Sequence, residues 1–181
     1  MPTAKLNFTL SQGELALITG TAGSGKSIFA ESLFQLPNDI KTTGPYILPC
    51  KRTWIPQNAY LTLNPTRSVY KHIKDICPCL SKQEITAYLL TYELPISCFF
   101  IPAMKLSVGQ AQIIAVAISL LKNTELVIAD DIFSGLDISK KTMLKQKILE
   151  QQKNATTFII FSPKYEDKLA PDYNFNLSFQ L

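Results

Sequence analysis

Hydrophobic and polar positions change their period several times along this chain, and each change marks an element. "LNFTL" sets Leu6, Phe8 and Leu10 against Asn7 and Thr9, the two-residue period of a half-buried strand. Past Gly13, "ELALITG" is a short unbroken apolar run, which predicts a strand buried on both faces. After "GTAGSGKS" the period lengthens, with Phe29, Leu33 and Leu36 at i, i+4 and i+7 of a helix that Pro37 and Asn38 end. Beyond "YILPCKRTWIPQ" the pattern is helical again. Val69, Ile73 and Ile76 share a stripe, Pro78 breaks it, and Ser81 with Glu84 opens "ITAYLLTYEL" as a capping box. Helix "VGQAQIIAVAISLLK", strand "ELVIAD", helix "SKKTMLKQKILEQQ" and strand "TTFIIFS" follow in turn. Finally "DYNFNLSFQL" alternates Tyr173, Phe175, Leu177, Phe179 and Leu181 with polar residues, the expectation being an antiparallel strand with one wet face.

This order predicts a single α/β domain over residues 1–181, with a mostly parallel sheet and antiparallel strands at its N- and C-terminal ends. Residues 1–56 and 107–181 form the core, and 57–106 an inserted small helical subdomain. Composition changes the picture only by exclusion. The net charge is +4 and the only arginines are Arg52 and Arg67, too few for the basic surface a nucleic-acid partner needs. "SKKTMLKQK" reads as a solvated helix face with Leu144 and Ile148 inward. "IIAVAISLL" falls short of the ~20 apolar residues of a membrane span, and no signal-peptide pattern opens the chain, so a cytosolic location is expected. Cys50, Cys77, Cys79 and Cys98 form no CxxC pair and His72 stands alone, so the thiols are expected to be reduced and no zinc is expected.

The chemistry begins at "GTAGSGKS", comprising Gly20, Thr21, Ala22, Gly23, Ser24, Gly25, Lys26 and Ser27, which matches G-x-x-x-x-G-K-[ST] between a strand and a helix. Small residues let the N–H groups of 21–26 wrap a phosphate chain, and the helix N-terminus adds partial positive charge. Lys26 would reach the β- and γ-phosphates, and the Ser27 hydroxyl would ligate Mg²⁺. "LVIADD" then runs an apolar strand into two carboxylates. Asp130 is placed to hold Mg²⁺ near Ser27, while Asp131 points elsewhere and could polarise an attacking water. A P-loop by itself leaves kinases, GTPases and many ATPases open.

A third motif narrows the choice. "LSVGQ", Leu106 to Gln110, stands at a helix start shortly before the Asp130 strand, and Ser107 with Gln110 fits a capping box. With it the chain resembles an ATP-binding-cassette (ABC) ATPase, whose LSGGQ signature occupies this place. The resemblance implies a P-loop NTPase fold with a RecA-like sheet. It implies MgATP as ligand, with Ser107, Gly109 and Gln110 holding the γ-phosphate of a second ATPase subunit. Gln57 in "WIPQNAY" falls where the family's Q-loop glutamine joins Mg²⁺ to the helical subdomain, and "SGLD", Ser134 to Asp137, resembles the loop that runs between subunits. "LNPTRSV", "NTELVIADD" and "GLDISKK" look most like the peptide and nickel importer branch. The implied protein is an ATPase subunit, peripheral on the cytoplasmic face of a membrane, with transmembrane permease partners. An ATP-dependent dimerising regulator without transport is the alternative, and a small-molecule kinase would explain neither "LSVGQ" nor "SGLD".

Four positions depart from the family pattern. The catalytic base is glutamate there and Asp131 here, one methylene shorter. Pro163 in "FIIFSPKYED" stands in the place of the switch histidine. The aromatic that stacks on adenine has no upstream counterpart, since Phe8 alternates as a core residue. Ala111 and Ile113 replace the basic residues after the signature, whose first glycine is Val108. These departures imply ATP binding with slow hydrolysis at this chain's own P-loop, paired to a partner ATPase.

Overall fold

The computed structural model describes residues 9–35, 49, 51–165 and 169–177. Among them the elements run β1 (Leu15–Thr19), α1 (Lys26–Gln35), β2 (Arg52–Ile55), α2 (Val69–Ile76), α3 (Lys82–Leu90), α4 (Val108–Leu120), β3 (Leu126–Asp130), α5 (Ile138–Lys153), β4 (Thr157–Ser162) and β5 (Tyr173–Asn176). Short 3₁₀ turns lie at Ala59–Thr62, Ile96–Cys98 and Ala103–Lys105. The strands form one sheet in the order β2-β3-β4-β1-β5, parallel throughout.

The unbroken apolar runs in the sequence are explained by helices on both faces. Leu15, Leu17, Val127, Ala129, Phe158 and Ile160 point to one core, where α4 and α5 add Ile113, Val116, Leu144 and Ile148. Their neighbours Ile18, Leu126, Ile128, Ile159 and Phe161 point to the other, closed by Ala30 and Leu33 of α1. Helix α4 is buried from Ala111 to Ile118, as a helix apolar all round must be. No helix among the described residues is long and apolar enough to cross a membrane.

The antiparallel strand expected at the C-terminal end is not what the chain builds. β5 pairs parallel to β1, with Ala16 opposite Tyr173 and Ile18 opposite Phe175. Alternation reports which face is wet, and an edge strand shows it in either direction; the direction is set by the connection, which carries the chain back before β5 begins. Most of "LNFTL" lies outside the described residues, as does Leu36, and Thr9 and Leu10 belong to no strand. β2 is a strand that the sequence pattern left unassigned, its four residues too few to show a period.

Between β2 and α4 the helices are held by local caps. Ser68 caps α2, accepting from Lys71 N, and Ser81 with Glu84 closes the predicted capping box on α3. α3 is bonded to α4 by a tyrosine pair, Tyr88 half-buried and Tyr92 buried: Tyr88 OH donates to Ala117 O at 2.6 Å and lies 2.9 Å from Tyr92 OH. Burial raises the Tyr88 phenol strongly and pushes Tyr92 up to about 12. Between pH ~10, where the unfolded chain's tyrosines ionise, and the folded values, the unfolded state binds fewer protons. Stability contributed by the pair is therefore full below pH ~10 and lost as pH rises. Urea midpoints measured across this range should fall, with tyrosinate absorbance appearing on unfolding, and Tyr88→Phe should remove part of the fall. Ionisation of both phenols near pH 10 in the folded chain would contradict this.

Candidate functional site

Because every strand is parallel, their C-terminal ends share one edge of the sheet, the usual place for ligands in such folds. β1 delivers the loop Gly20–Gly25, β3 delivers Asp130 and Asp131, β4 ends at Ser162, and Gln57 lies two residues past β2. The loop needs its small residues. Gly23 and Gly25 have φ of +80° and +79°, a region that favours glycine. A Cβ on Gly20 would sit 2.5 Å from Leu177 O and 2.9 Å from Ser24 Oγ. Thr21, Ala22 and Gly23 are exposed, whereas Gly20 and Ser24 are buried.

Lys26 opens α1 and is nearly buried. Its Nζ donates to Gly20 O at 2.7 Å, Thr21 O at 2.8 Å and Ser24 Oγ at 3.2 Å. All three are neutral acceptors, and the charged oxygens of a phosphate would bond the ammonium more strongly. Asp130 is only 3% exposed. Burial raises its pKa, opposed by a hydrogen bond from Ser27 and by the charge of Lys26. The Ser27 hydroxyl and the Asp130 carboxylate are hard oxygen donors brought together, a donor set that fits Mg²⁺.

Asp131 turns away from the strand with φ of +43°, a conformation that aspartate adopts more readily than most residues. Its N–H continues the ladder to Phe161 O at 2.8 Å, and its Oδ2 accepts from Gln57 Nε2 at 3.2 Å. Ser162 is fully buried, and Pro163 beyond it is exposed and has no donor to offer. His72 serves locally, accepting at Nε2 from Asn64 N and donating from Nδ1 to Ser68 O, each at 2.9 Å.

The remaining predicted residues form a second group. Ser107 caps α4: its Oγ accepts from Gln110 N at 3.2 Å while Gln110 Oε1 accepts from Ser107 N at 3.0 Å. Val108 is 65% exposed on the first turn. A Cβ on Gly109 would meet only Leu136 Cδ2, at 3.9 Å, so packing within the chain does not demand glycine there. That contact brings "LSVGQ" beside "SGLD". Asp137 caps α5, accepting from Lys140 N at 2.9 Å and Lys140 Nζ at 2.6 Å, bonds that hold its carboxyl below the usual range. Ser107, Gln110 and Asp137 thus bond their own helix starts rather than the P-loop.

Sequence reasoning missed Gln112. It is 4% exposed within α4, donating from Nε2 to Gln57 O at 3.1 Å and accepting at Oε1 from Tyr60 N at 3.2 Å. The signal was present, since Gln112 is the one polar residue in the run Ala111–Ile118.

Comparison with known proteins gives a family. The profile described as ABC transporter matches residues 3–134. The oligopeptide transport ATP-binding protein OppD of Lactococcus lactis is 27% identical over 183 residues, covering 86% of this chain and 54% of that one. The ATP-binding cassette transporter abc1 of Schizosaccharomyces pombe is 32% identical over 148 residues, covering 74% of this chain but 10% of its own. The chain thus spans about half of the bacterial relative and a tenth of the fungal one. A Pyrococcus furiosus structure described as an ABC transporter ATP-binding protein superposes with a TM-score of 0.80 at 22% identity, over 96% of this chain and 88% of that one.

The crowding at Gly20 gives a test that needs no ligand. Gly20→Ala should destabilise the fold by about 1–3 kcal/mol, because a backbone carbonyl cannot swing aside. A chemical-denaturation midpoint equal to that of the unaltered chain would show that the approach of Leu177 is loose.

Proposed function

Because this chain belongs to the ABC transporter family, we propose that it acts as the MgATP-binding subunit of such a transporter, of the peptide-import kind, on the cytoplasmic face of a membrane. The observation that carries the reading is the meeting of Lys26, Ser27 and the buried Asp130 at the end of three parallel strands. Likeness to OppD supports the import branch. A second ATPase subunit and transmembrane permeases are its proposed partners, with Ser107, Gly109, Gln110 and Asp137 facing the second ATPase.

On nucleotide binding, Lys26 Nζ exchanges the carbonyls of Gly20 and Thr21 for β- and γ-phosphate oxygens. The N–H groups of Thr21 to Lys26 bond the phosphate chain. Ser27 and Asp130 would hold Mg²⁺, with Gln57 beside them; the ion supplies charge neutralisation on the phosphates. Asp131 would accept the proton of the attacking water. Its carboxylate is short for this work, engaged by Gln57 in the structure, and Pro163 provides no γ-phosphate donor, so hydrolysis at this site is slow. The signature end of α4 would complete the partner's site.

Two substitutions test the reading. Lys26→Ala should weaken MgATP binding about a hundredfold, the worth of two charge-assisted bonds; unchanged affinity by calorimetry would remove the proposed site. Asp131→Glu should raise ATP turnover by up to about a hundredfold, since a displacement of roughly 1 Å in a catalytic group costs that much. No gain in released phosphate would shift the defect to Pro163.

A further inference from the structure

Gln112 lies outside every motif named above, yet it touches the loop that carries Gln57 at two points. Within α4 it is the one polar side chain among the buried positions. A buried amide must bond something, and both halves of this amide bond the same turn. Nε2 donates to the carbonyl of Gln57, and Oε1 accepts the N–H of Tyr60. The turn is held at both ends by one side chain, which fixes its height and tilt against α4. From that fixed backbone the Gln57 side chain reaches Asp131 Oδ2 at 3.2 Å. The other end of the linkage is the first turn of α4, where Ser107 and Gln110 close their capping box. Gln112 follows within the next turn of the same rigid helix. A shift of the Gln57 backbone therefore either carries the start of α4 with it or breaks two partly buried hydrogen bonds.

We propose that Gln112 is a positioning residue that locks the Gln57 loop to the signature helix, so that the aim of Gln57 at the MgATP site and the placement of Ser107 are set together. Gln112 touches no nucleotide; it acts through the backbone of Gln57 and Tyr60. The inference rests on the reading of the P-loop as a MgATP site. If Gln57 acts through Mg²⁺, loss of the lock lowers affinity for the nucleotide with its metal and spares affinity for the metal-free nucleotide. A buried amide that only supported the fold would lower both together or neither.

The experiment uses the full chain and a fluorescent ATP analogue, titrated once with Mg²⁺ and once with EDTA. Gln112→Met keeps the side-chain length and removes both bonds. It should weaken Mg²⁺-nucleotide binding roughly tenfold, the worth of one or two hydrogen bonds, and leave the EDTA titration unchanged. Gln57→Ala should produce the same split, and the double variant should bind no more weakly than Gln57→Ala alone, since residues acting in one chain of contacts are not additive. Gln112→Ala, which removes both bonds without placing a longer apolar chain against the turn, gives the same readout if the methionine variant fails to fold. Equal affinity in the folded variant, an equal loss with and without Mg²⁺, or an additive double variant overturns the proposal. Absence of nucleotide binding in the unaltered chain overturns instead the reading on which it stands.

Discussion

The buried carboxylate of Asp130 is the constraint around which the rest of the molecule is arranged. A charge driven into the end of an apolar strand is costly unless a cation and hydrogen-bond donors meet it. Here the opposing groups arrive from a different strand: β1 brings the loop, and the loop brings Lys26 and Ser27 to Asp130. They can arrive only because β1 and β3 run the same way with β4 between them. Parallel strands in turn need crossover helices, and those helices cover the sheet on both faces. The two-sided apolar strands, the all-round burial of α4 and the gathering of functional groups at one edge all follow from that alignment.

Much of this was legible in the sequence, for reasons that differ from element to element. The P-loop is visible because its chemistry demands particular residues at fixed spacing, and the strands β1, β3 and β4 because burial on both faces leaves unbroken apolar runs. The capping boxes at Ser81 and Ser107 were readable since the bonds they make are local. The direction of β5 was not, because alternation encodes sidedness and a parallel edge strand shares it with an antiparallel one. β2 is short, and its pairing with β3 is decided by residues far along the chain. Gln112 went unnoticed because its partners, Gln57 and Tyr60, lie on another element, and spacing along one helix cannot reveal them.

The site residues divide by how far their roles can be read from local bonds. Lys26, Ser27 and Asp130 form a unit held together across two strands, and the proposed MgATP role rests on that meeting of groups. Asp137 and Ser107 are also satisfied locally, each as a cap, so their bonds within the chain explain their presence without reference to a partner. Asp131 sits between the two cases. Its left-handed backbone and its bond to Gln57 describe a carboxylate fixed in place by its surroundings, and the same fixing limits how far a side chain of this length can reach.

The place of β1 in the sheet has a consequence for how the molecule is made. It is the first described strand to leave the ribosome, yet its neighbours on both sides are β4 and β5. Leu15 must wait for Phe158, and Ala16 for Tyr173. Until then an apolar strand with two open edges is held in the nascent chain, the circumstance in which folding is slow and aggregation competes. Leu177, whose carbonyl presses against Gly20, follows later still. The loop Gly20–Gly25 thus takes its final shape only after α5, β4 and β5 have been synthesised, so a ribosome-stalled chain ending within α5 would carry every residue of that loop and still lack the framework that shapes it.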